Sequence, residues 1–314
     1  MKLRIVFLGT PDFAVPSLEA LIGSRHDVVA VVSQPDRPKG RGQQLQATPT
    51  KAAADARGIS VLQPAKIREE AFLQAIRDLR PDLGVVVAFG RILPDALLAI
   101  PRLGMINVHA SILPRYRGAA PIQRAVLAGD TETGVSIMRV VTELDAGPVF
   151  SIARVGIPAD ATSGEMAGVL ASLGAAELVP IVDALADGRA VETPQDHALA
   201  TLAPKIAKDE GIIDWLETAA RVHDKVRGLQ PWPLASTTLN GERLVVRRTR
   251  ATALDAHDAA ASTIVRAHGD DLTVACGGGT ALQILQIQPE GRRTVSAREF
   301  LAGRGSLEGA RLGT

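Results

Sequence analysis

Leu103-Gly104-Met105-Ile106-Asn107-Val108-His109-Ala110-Ser111-Ile112-Leu113-Pro114-Arg115-Tyr116-Arg117-Gly118-Ala119-Ala120-Pro121 is the stretch that decides how this chain is read. The apolar run over residues 103–108 predicts a strand. Asn107 and His109 stand two apart, and on a strand such residues face the same side. An amide and an imidazole therefore project together from a strand end. Leu113-Pro114 ends regular structure, because proline lacks an N–H and restricts the residue before it. Gly118 permits backbone conformations that other residues resist, and a helix is expected from about Ala120. Strand, irregular loop and helix in this order form a common layout for an active site on an open α/β sheet.

Toward the N-terminus, apolar runs alternate with helical patterns. Residues 3–8 are apolar except for Arg4 and end at Gly9, which predicts a buried parallel strand. Val15, Leu18, Leu21 and Ile22 have helical spacing, so a helix is expected over 11–21. Further strands are expected at 28–32, 61–62 and 84–88, with helices at 51–57, 68–79 and 94–99. Thr48-Pro49 supplies an N-cap and a proline for the first helical turn. This alternation predicts a doubly wound, mostly parallel sheet with its ligand site beyond the carboxyl ends of the strands. Phe89-Gly90 and residues 107–114 both lie at such ends. Residues 34–47 form a long connection rich in Pro, Gly and polar residues, which marks a functional or disordered segment. Gly9-Thr10-Pro11-Asp12 matches neither a dinucleotide fingerprint nor a triphosphate-binding loop, so both are rejected here.

Toward the C-terminus, a helix over 122–127 precedes strands at 135–141 and 149–157, with Asp145 in their connection. A long amphipathic helix is expected over 166–185, ending at Gly188. Residues 191–209 mix polar side chains with Pro194 and Pro204 and are expected to be a linker. The expected organisation is a catalytic domain over 1–190, this linker, and a C-terminal domain over 210–314. That last domain opens with a helix over 214–227. Short β-like runs follow at 235–239, 244–246, 263–265, 272–275 and 282–286, separated by turns such as Asn240-Gly241. They predict a small barrel or sandwich.

Composition bounds the function. The chain has 314 residues, 46% hydrophobic and 22% charged, with a net charge of +1. This suits one large or two smaller soluble domains, and any nucleic-acid contact must come from local basic patches rather than bulk charge. Cys276 is the single cysteine, so no intrachain disulfide forms, which fits a reducing compartment. The N-terminus runs straight into a strand, and no stretch of 18 apolar residues occurs. The expected location is cytoplasmic, without membrane contact. No His-Glu-x-x-His or paired cysteines are present, so no metal site is expected. Five of the six histidines (His26, His197, His223, His257 and His268) fall in loop or helix-face contexts and are expected at the surface.

His109 alone sits in a constellation. An imidazole exchanges protons near neutral pH, and an amide N–H can bind a developing oxyanion. Asp145, in Leu144-Asp145-Ala146-Gly147-Pro148, is the nearest downstream carboxylate able to orient the ring and support its cation. Spacing alone leaves open an ordinary strand end and an ordinary turn.

Asn107-x-His109 with the following Ser111 to Ile122 segment resembles the signature of the folate-dependent formyltransferases. Leu144-Asp145-Ala146-Gly147 matches that family's second signature. Gly9-Thr10-Pro11-Asp12-Phe13-Ala14, Gln34-Pro35-Asp36-Arg37-Pro38-Lys39-Gly40-Arg41-Gly42 and Pro231-Trp232-Pro233 resemble the members that act on initiator methionyl-tRNA. The resemblance implies a Rossmann-like formyltransferase domain and an oligonucleotide-binding-like β-barrel that contacts tRNA. It implies a catalytic trio of Asn107, His109 and Asp145, with 10-formyltetrahydrofolate as formyl donor. It also implies a folate-contacting loop of Ser111, Ile112, Leu113 and Pro114, and a tRNA contact at Arg41, with Arg37 and Lys39 nearby. In the C-terminal domain Arg247, Arg248 and Arg250 form a local basic cluster. No apolar stripe calls for a partner chain, so a monomer is expected. The competing readings are formyl transfer to a sugar amine or glycinamide nucleotide, and a non-catalytic RNA-binding protein on an inherited scaffold.

Overall fold

In the computed structural model, which describes residues 1–39 and 44–313, the apolar runs pair side by side as strands. In chain order come β1 (Arg4–Gly9), α1 (Val15–Ile22), β2 (Asp27–Val32), β3 (Arg37–Lys39), β4 (Gln44–Gln46), α2 (Pro49–Asp55) and β5 (Val61–Leu62). They are followed by α3 (Glu70–Asp78), β6 (Leu83–Val87), α4 (Asp95–Leu98), β7 (Met105–His109), β8 (Arg117–Gly118) and α5 (Pro121–Ala128). Next are β9 (Glu132–Arg139), β10 (Val149–Gly156), α6 (Ser163–Ala186) and β11 (Leu202–Ala203). The main sheet has the order β10-β9-β7-β6-β1-β2-β5. Its pairs β1–β2, β1–β6, β2–β5 and β6–β7 are parallel, while β7–β9 is antiparallel. The chain moves outward from β1 through β2 to β5, then returns to β1's other side at β6. That reversal makes the sheet doubly wound.

Local chemistry explains the ends of these elements. Pro16 lies in the first turn of α1, where its missing N–H costs nothing. The Thr48 side chain accepts from Lys51 N and caps α2. β1 and β6 are apolar almost throughout because the sheet is covered on both faces.

The chain divides into two compact units. The first comprises Met1–Pro121, Glu132–Val155 and Ala167–Pro204, and the second Ile122–Thr131, Gly156–Met166 and Lys205–Thr314. Residues 191–204, expected as linker, are stitched into the first unit instead. Val149 and Thr193 exchange backbone hydrogen bonds, β11 runs parallel to β8, and Ala120 N donates to Ala203 O. The polar, proline-bearing composition there satisfies its backbone groups on neighbouring segments rather than in water.

The second unit contains α7 (Ala219–Gly228), β12 (Ala235–Leu239), β13 (Glu242–Thr252), β14 (Ile264–His268), β15 (Asp271–Ala275), β16 (Ala281–Pro289), β17 (Val295–Ser296) and α8 (Ala297–Leu301). Its antiparallel sheet has the order β12-β13-β16-β15-β14, with β17 on β16. Residues 309–313 lie against both outer strands. Leu312 bridges Leu239, Arg311 bridges Thr263, Ile264 N donates to Ala310 O and Gly313 N donates to Thr238 O. The seam is thereby shut and the sheet is a small barrel around Leu244, Val246, Leu282 and Ile284. The helix expected over 214–227 begins only at Ala219, with Thr218 as its cap. The reason is local: Gly277 N donates to both Trp215 O and Glu217 O, which holds 215–217 out of helical geometry.

Among the described residues one helix, α6, is long and apolar enough by composition to cross a membrane. In this fold Leu170, Leu178 and Val182 are completely buried. At Gly174 the helix comes so close to β7 that a Cβ would stand 2.6 Å from Val108 Cγ1.

Candidate active site

β7 carries Asn107 and His109 between β6 and β9. Asn107 lies beside Val86 on one side and Met138 on the other, and His109 faces Ser136. The residues after β6 turn sharply, with Ala88 at φ 48° and Gly90 at φ 76°. The two segments that the sequence placed at carboxyl strand ends, 88–90 and 109–114, therefore leave the sheet from neighbouring strands. Asn107 is half-buried, and its amide has no hydrogen-bond partner among the described residues.

His109 is buried, with 5% of its side chain exposed. Its Nε2 lies 2.9 Å from Tyr116 O. A carbonyl only accepts, so this nitrogen carries a proton. Its Nδ1 faces Asp145 Oδ2 at 3.7 Å, an ion-pair separation longer than a hydrogen bond. Asp145 Oδ2 also accepts from Gly118 N at 2.8 Å. Tyr116 at φ 61° and Asp145 at φ 47° occupy left-handed backbone that side chains usually avoid. Such residues gather where the surroundings hold them, often at functional sites.

The loop after β7 is fixed by Ser136, which is buried on β9. Its hydroxyl donates to Ser111 O at 2.8 Å and accepts from Leu113 N at 3.1 Å. Ser111 Oγ donates to Arg115 O, and the Leu113–Pro114 bond is cis. Ser111 and Leu113 turn inward, whereas Ile112 and Pro114 keep part of their surface open. Of the four loop residues singled out in the sequence, these two present apolar side chains outward.

Arg41 lies outside the described residues. The flanking β3–β4 hairpin has a braced base. Lys51 Nζ donates to Asp36 Oδ2 at 2.6 Å, and Gln63 Nε2 donates to Asp36 Oδ1 at 2.7 Å and Gln34 O at 2.8 Å. The Lys51 ammonium, helped by Gln63, holds the Asp36 carboxyl below the usual carboxylate range. In the second unit Arg248 and Arg250 are exposed on β13, with Arg248 3.2 Å from Glu165.

Two residues joined to this site escaped the sequence reading. Arg117 and Gln195 are both buried, and Gln195 reaches the turn that bears Asp145. Nothing local marks Gln195, whose partners lie far away in the chain. His26, expected at the surface, is also buried: it accepts from Leu3 N and lies 3.1 Å from Asp183. Among the described residues no group of three or more His, Cys, Asp or Glu is placed to hold a metal.

The arrangement joins an available amide donor, an imidazole with one committed N–H, and a carboxylate facing the other ring nitrogen. It suits attack on a carbonyl, with charge developing on oxygen and a proton to be moved.

Residues 3–182 match the formyl transferase family and residues 205–305 its C-terminal domain. A methionyl-tRNA formyltransferase of Methylococcus capsulatus is 48% identical over 99% of this chain and 100% of its own length. That of Moorella thermoacetica is 44% identical over 99% of each chain. Among solved structures, an N-formyltransferase of Helicobacter canadensis complexed with folinic acid and dTDP-3-aminofucose superposes with a TM-score of 0.69. It covers 91% of this chain and 99% of that one at 15% identity, which speaks to the fold alone. With both family segments matched and the likeness running end to end, this chain belongs to the formyl transferase family, among the methionyl-tRNA formyltransferases.

Proposed function

We infer that this chain transfers the formyl group of 10-formyltetrahydrofolate to the free α-amine of initiator methionyl-tRNA, giving N-formylmethionyl-tRNA for translation initiation. The observation that carries this reading is likeness over 99% of the chain to methionyl-tRNA formyltransferases. It is supported by the meeting of His109 with Asp145 beside Asn107. The α-amine attacks the formyl carbon, a C–N bond forms and the carbonyl electrons move to oxygen. Asn107 donates to that oxygen. His109 keeps its Nε2–H on Tyr116 O and turns its Nδ1 toward Asp145. The amine proton passes to His109 Nδ1, the ring nitrogen left free, where the Asp145 carboxylate faces the cation that forms. The carbonyl then re-forms as the bond from carbon to the folate N10 breaks, and N10 takes that proton from His109. Removing one oxyanion donor of this kind costs ~100–1000-fold in rate.

Ile112 and Pro114 form an apolar edge for the folate, with backbone groups of Ser111 and Leu113 behind them. Arg41 and the β3–β4 hairpin hold the tRNA acceptor end, and the barrel unit follows the tRNA backbone through arginines such as Arg250. The protein works as a cytoplasmic monomer.

The test offers 10-formyltetrahydrofolate with methionyl-tRNA, free methionine, an amino sugar nucleotide and a glycinamide nucleotide. Formylated methionyl-tRNA is the expected product, and His109→Ala should lower its formation at least ~100-fold while folate still binds. Preferential formylation of another amine would overturn the substrate assignment. Parental turnover by folded His109→Ala would overturn the site.

A further inference from the structure

The turn that presents Asp145 is gripped from behind by one buried amide. Gln195 Nε2 donates to Asp145 O at 2.9 Å and to Gly147 O at 2.7 Å. Its Oε1 accepts from Arg117 Nε at 3.2 Å and Nη2 at 2.8 Å. Both amide hydrogens and both oxygen lone pairs are thus in use. The orientation of the amide is fixed by chemistry, since a guanidinium can only donate and carbonyls can only accept.

Arg117 is unusual in its own right. It is 6% exposed, and its partners are the Gln195 oxygen and His197 Nδ1 at 3.3 Å, neither of them a carboxylate. A buried cation satisfied by neutral acceptors is costly to keep unless it serves a purpose. Its neighbour Gly118 donates its backbone N–H to the Asp145 carboxylate. The dipeptide Arg117-Gly118 therefore reaches Asp145 twice, at the side chain directly and at the main chain through Gln195. Between these grips Asp145 holds its left-handed backbone. Gly147 is pressed so closely against Arg139 that a Cβ would lie 2.0 Å from the Arg139 carbonyl oxygen.

We propose that Gln195, anchored by Arg117, is a positioning residue for formyl transfer: it sets the reach of the Asp145 carboxylate to the His109 ring without touching substrate. This rests on the reading of Asp145 as part of the catalytic trio.

The experiment measures formyl transfer to methionyl-tRNA by the full chain at saturating substrates, in the parent, Gln195→Ala, Gln195→Glu, Asp145→Asn and the double variant Gln195→Ala/Asp145→Asn. Gln195→Glu keeps the shape and offers Arg117 a carboxylate, yet turns an acceptor toward two carbonyls. Both Gln195 variants should lose ~10- to 100-fold in kcat, because misplacing a reacting group by about an ångström has effects of this size. KM for 10-formyltetrahydrofolate should stay within ~3-fold, since uniform binding is untouched. The double variant should be no more than ~3-fold slower than Asp145→Asn, because residues acting as one unit are non-additive. Parental kcat in both Gln195 variants, with Asp145→Asn impaired, would overturn the positioning role and leave the trio standing. So would a double variant slowed by the full factor of Gln195→Ala, or failure of both Gln195 variants to fold, each of which assigns Gln195 to the scaffold alone. If Asp145→Asn turns over at the parental rate, the trio falls and the positioning role with it, and that single variant identifies the cause.

Discussion

β6 and β13 are both strands, yet they are built on opposite rules. All five residues of β6, Leu-Gly-Val-Val-Val, are buried. Along most of β13 burial alternates, with Leu244 and Val246 inside and Arg243, Arg248 and Arg250 outside. A parallel strand covered on both faces has no surface to offer except its ends. A barrel strand keeps one face open along its length. Chemistry in the first unit is therefore confined to carboxyl strand ends, where Asn107 and His109 sit. In the second unit polar and charged side chains are spread along the outer wall.

The sharpest break in this contrast is expected at two turn glycines. A Cβ on Gly147 would stand 2.0 Å from the Arg139 carbonyl oxygen, so backbone has to move. Gly147→Ala should destabilise the first unit by roughly 4 kcal/mol or more, the range of severe core disruption, and abolish transfer. Gly241, in the hairpin between β12 and β13, has φ 80° and open space around it. Gly241→Ala should cost only ~1–2 kcal/mol for left-handed backbone. Urea unfolding followed by circular dichroism, with the transfer assay alongside, compares the two.

A smaller effect tests the period of burial itself. Val85→Thr and Val86→Thr, adjacent on β6, should each cost ~1–3 kcal/mol because either hydroxyl is buried. On β13, Val246→Thr should cost a similar amount, while Val245→Thr, at a half-buried position, should cost less, below ~1 kcal/mol. Equal costs at 245 and 246 would erase the distinction between the two strands.

At neutral pH the smallest effect concerns Cys276, buried in the barrel core, where desolvation pushes the thiol up to about 12. The folded state resists thiolate formation while the unfolded chain ionises near its ordinary value. The contribution is thus fully present below about pH 9 and is lost as pH rises toward about 12. Stability of the second unit should fall faster across that window in the parent than in Cys276→Ala. Maleimide labelling at pH 8 should be slow and should track unfolding of the barrel; rapid labelling of the native chain would mean the thiol is accessible.

The same contrast explains what the sequence revealed. Strands at 28–32 and 84–88 stand out as apolar runs, as does 3–8 apart from Arg4, and the structure places them within a residue or so. β13 was read as 244–246 only, because Arg243, Arg247, Arg248 and Arg250 hide its length when apolar content is the guide. The helix at 214–227 was read too long because nothing local announces that Gly277 claims the carbonyls of 215 and 217. His109 and Asp145 were legible through a family signature; spacing alone left them ordinary. Gln195 sat inside a segment whose composition resembles a linker, and its meaning comes only from partners about 50 and 78 positions away.

The seam of the barrel has a consequence for how the chain is made. β12 and β14 are complete long before residues 309–313, which alone among the described residues lie against both. Ile212 and Ile213 already pair at Ser236 of β12, so throughout that interval a chain on the ribosome carries the bare edge of β14 and the part of β12 beyond Ser236, each a template for any extended segment nearby, including the matching edge on the next chain along the same message. The barrel is not finished strand by strand but shut in one late event. Loss of residues 309–313 would spare almost all of its core and still leave the β14 edge and part of the β12 edge open for good.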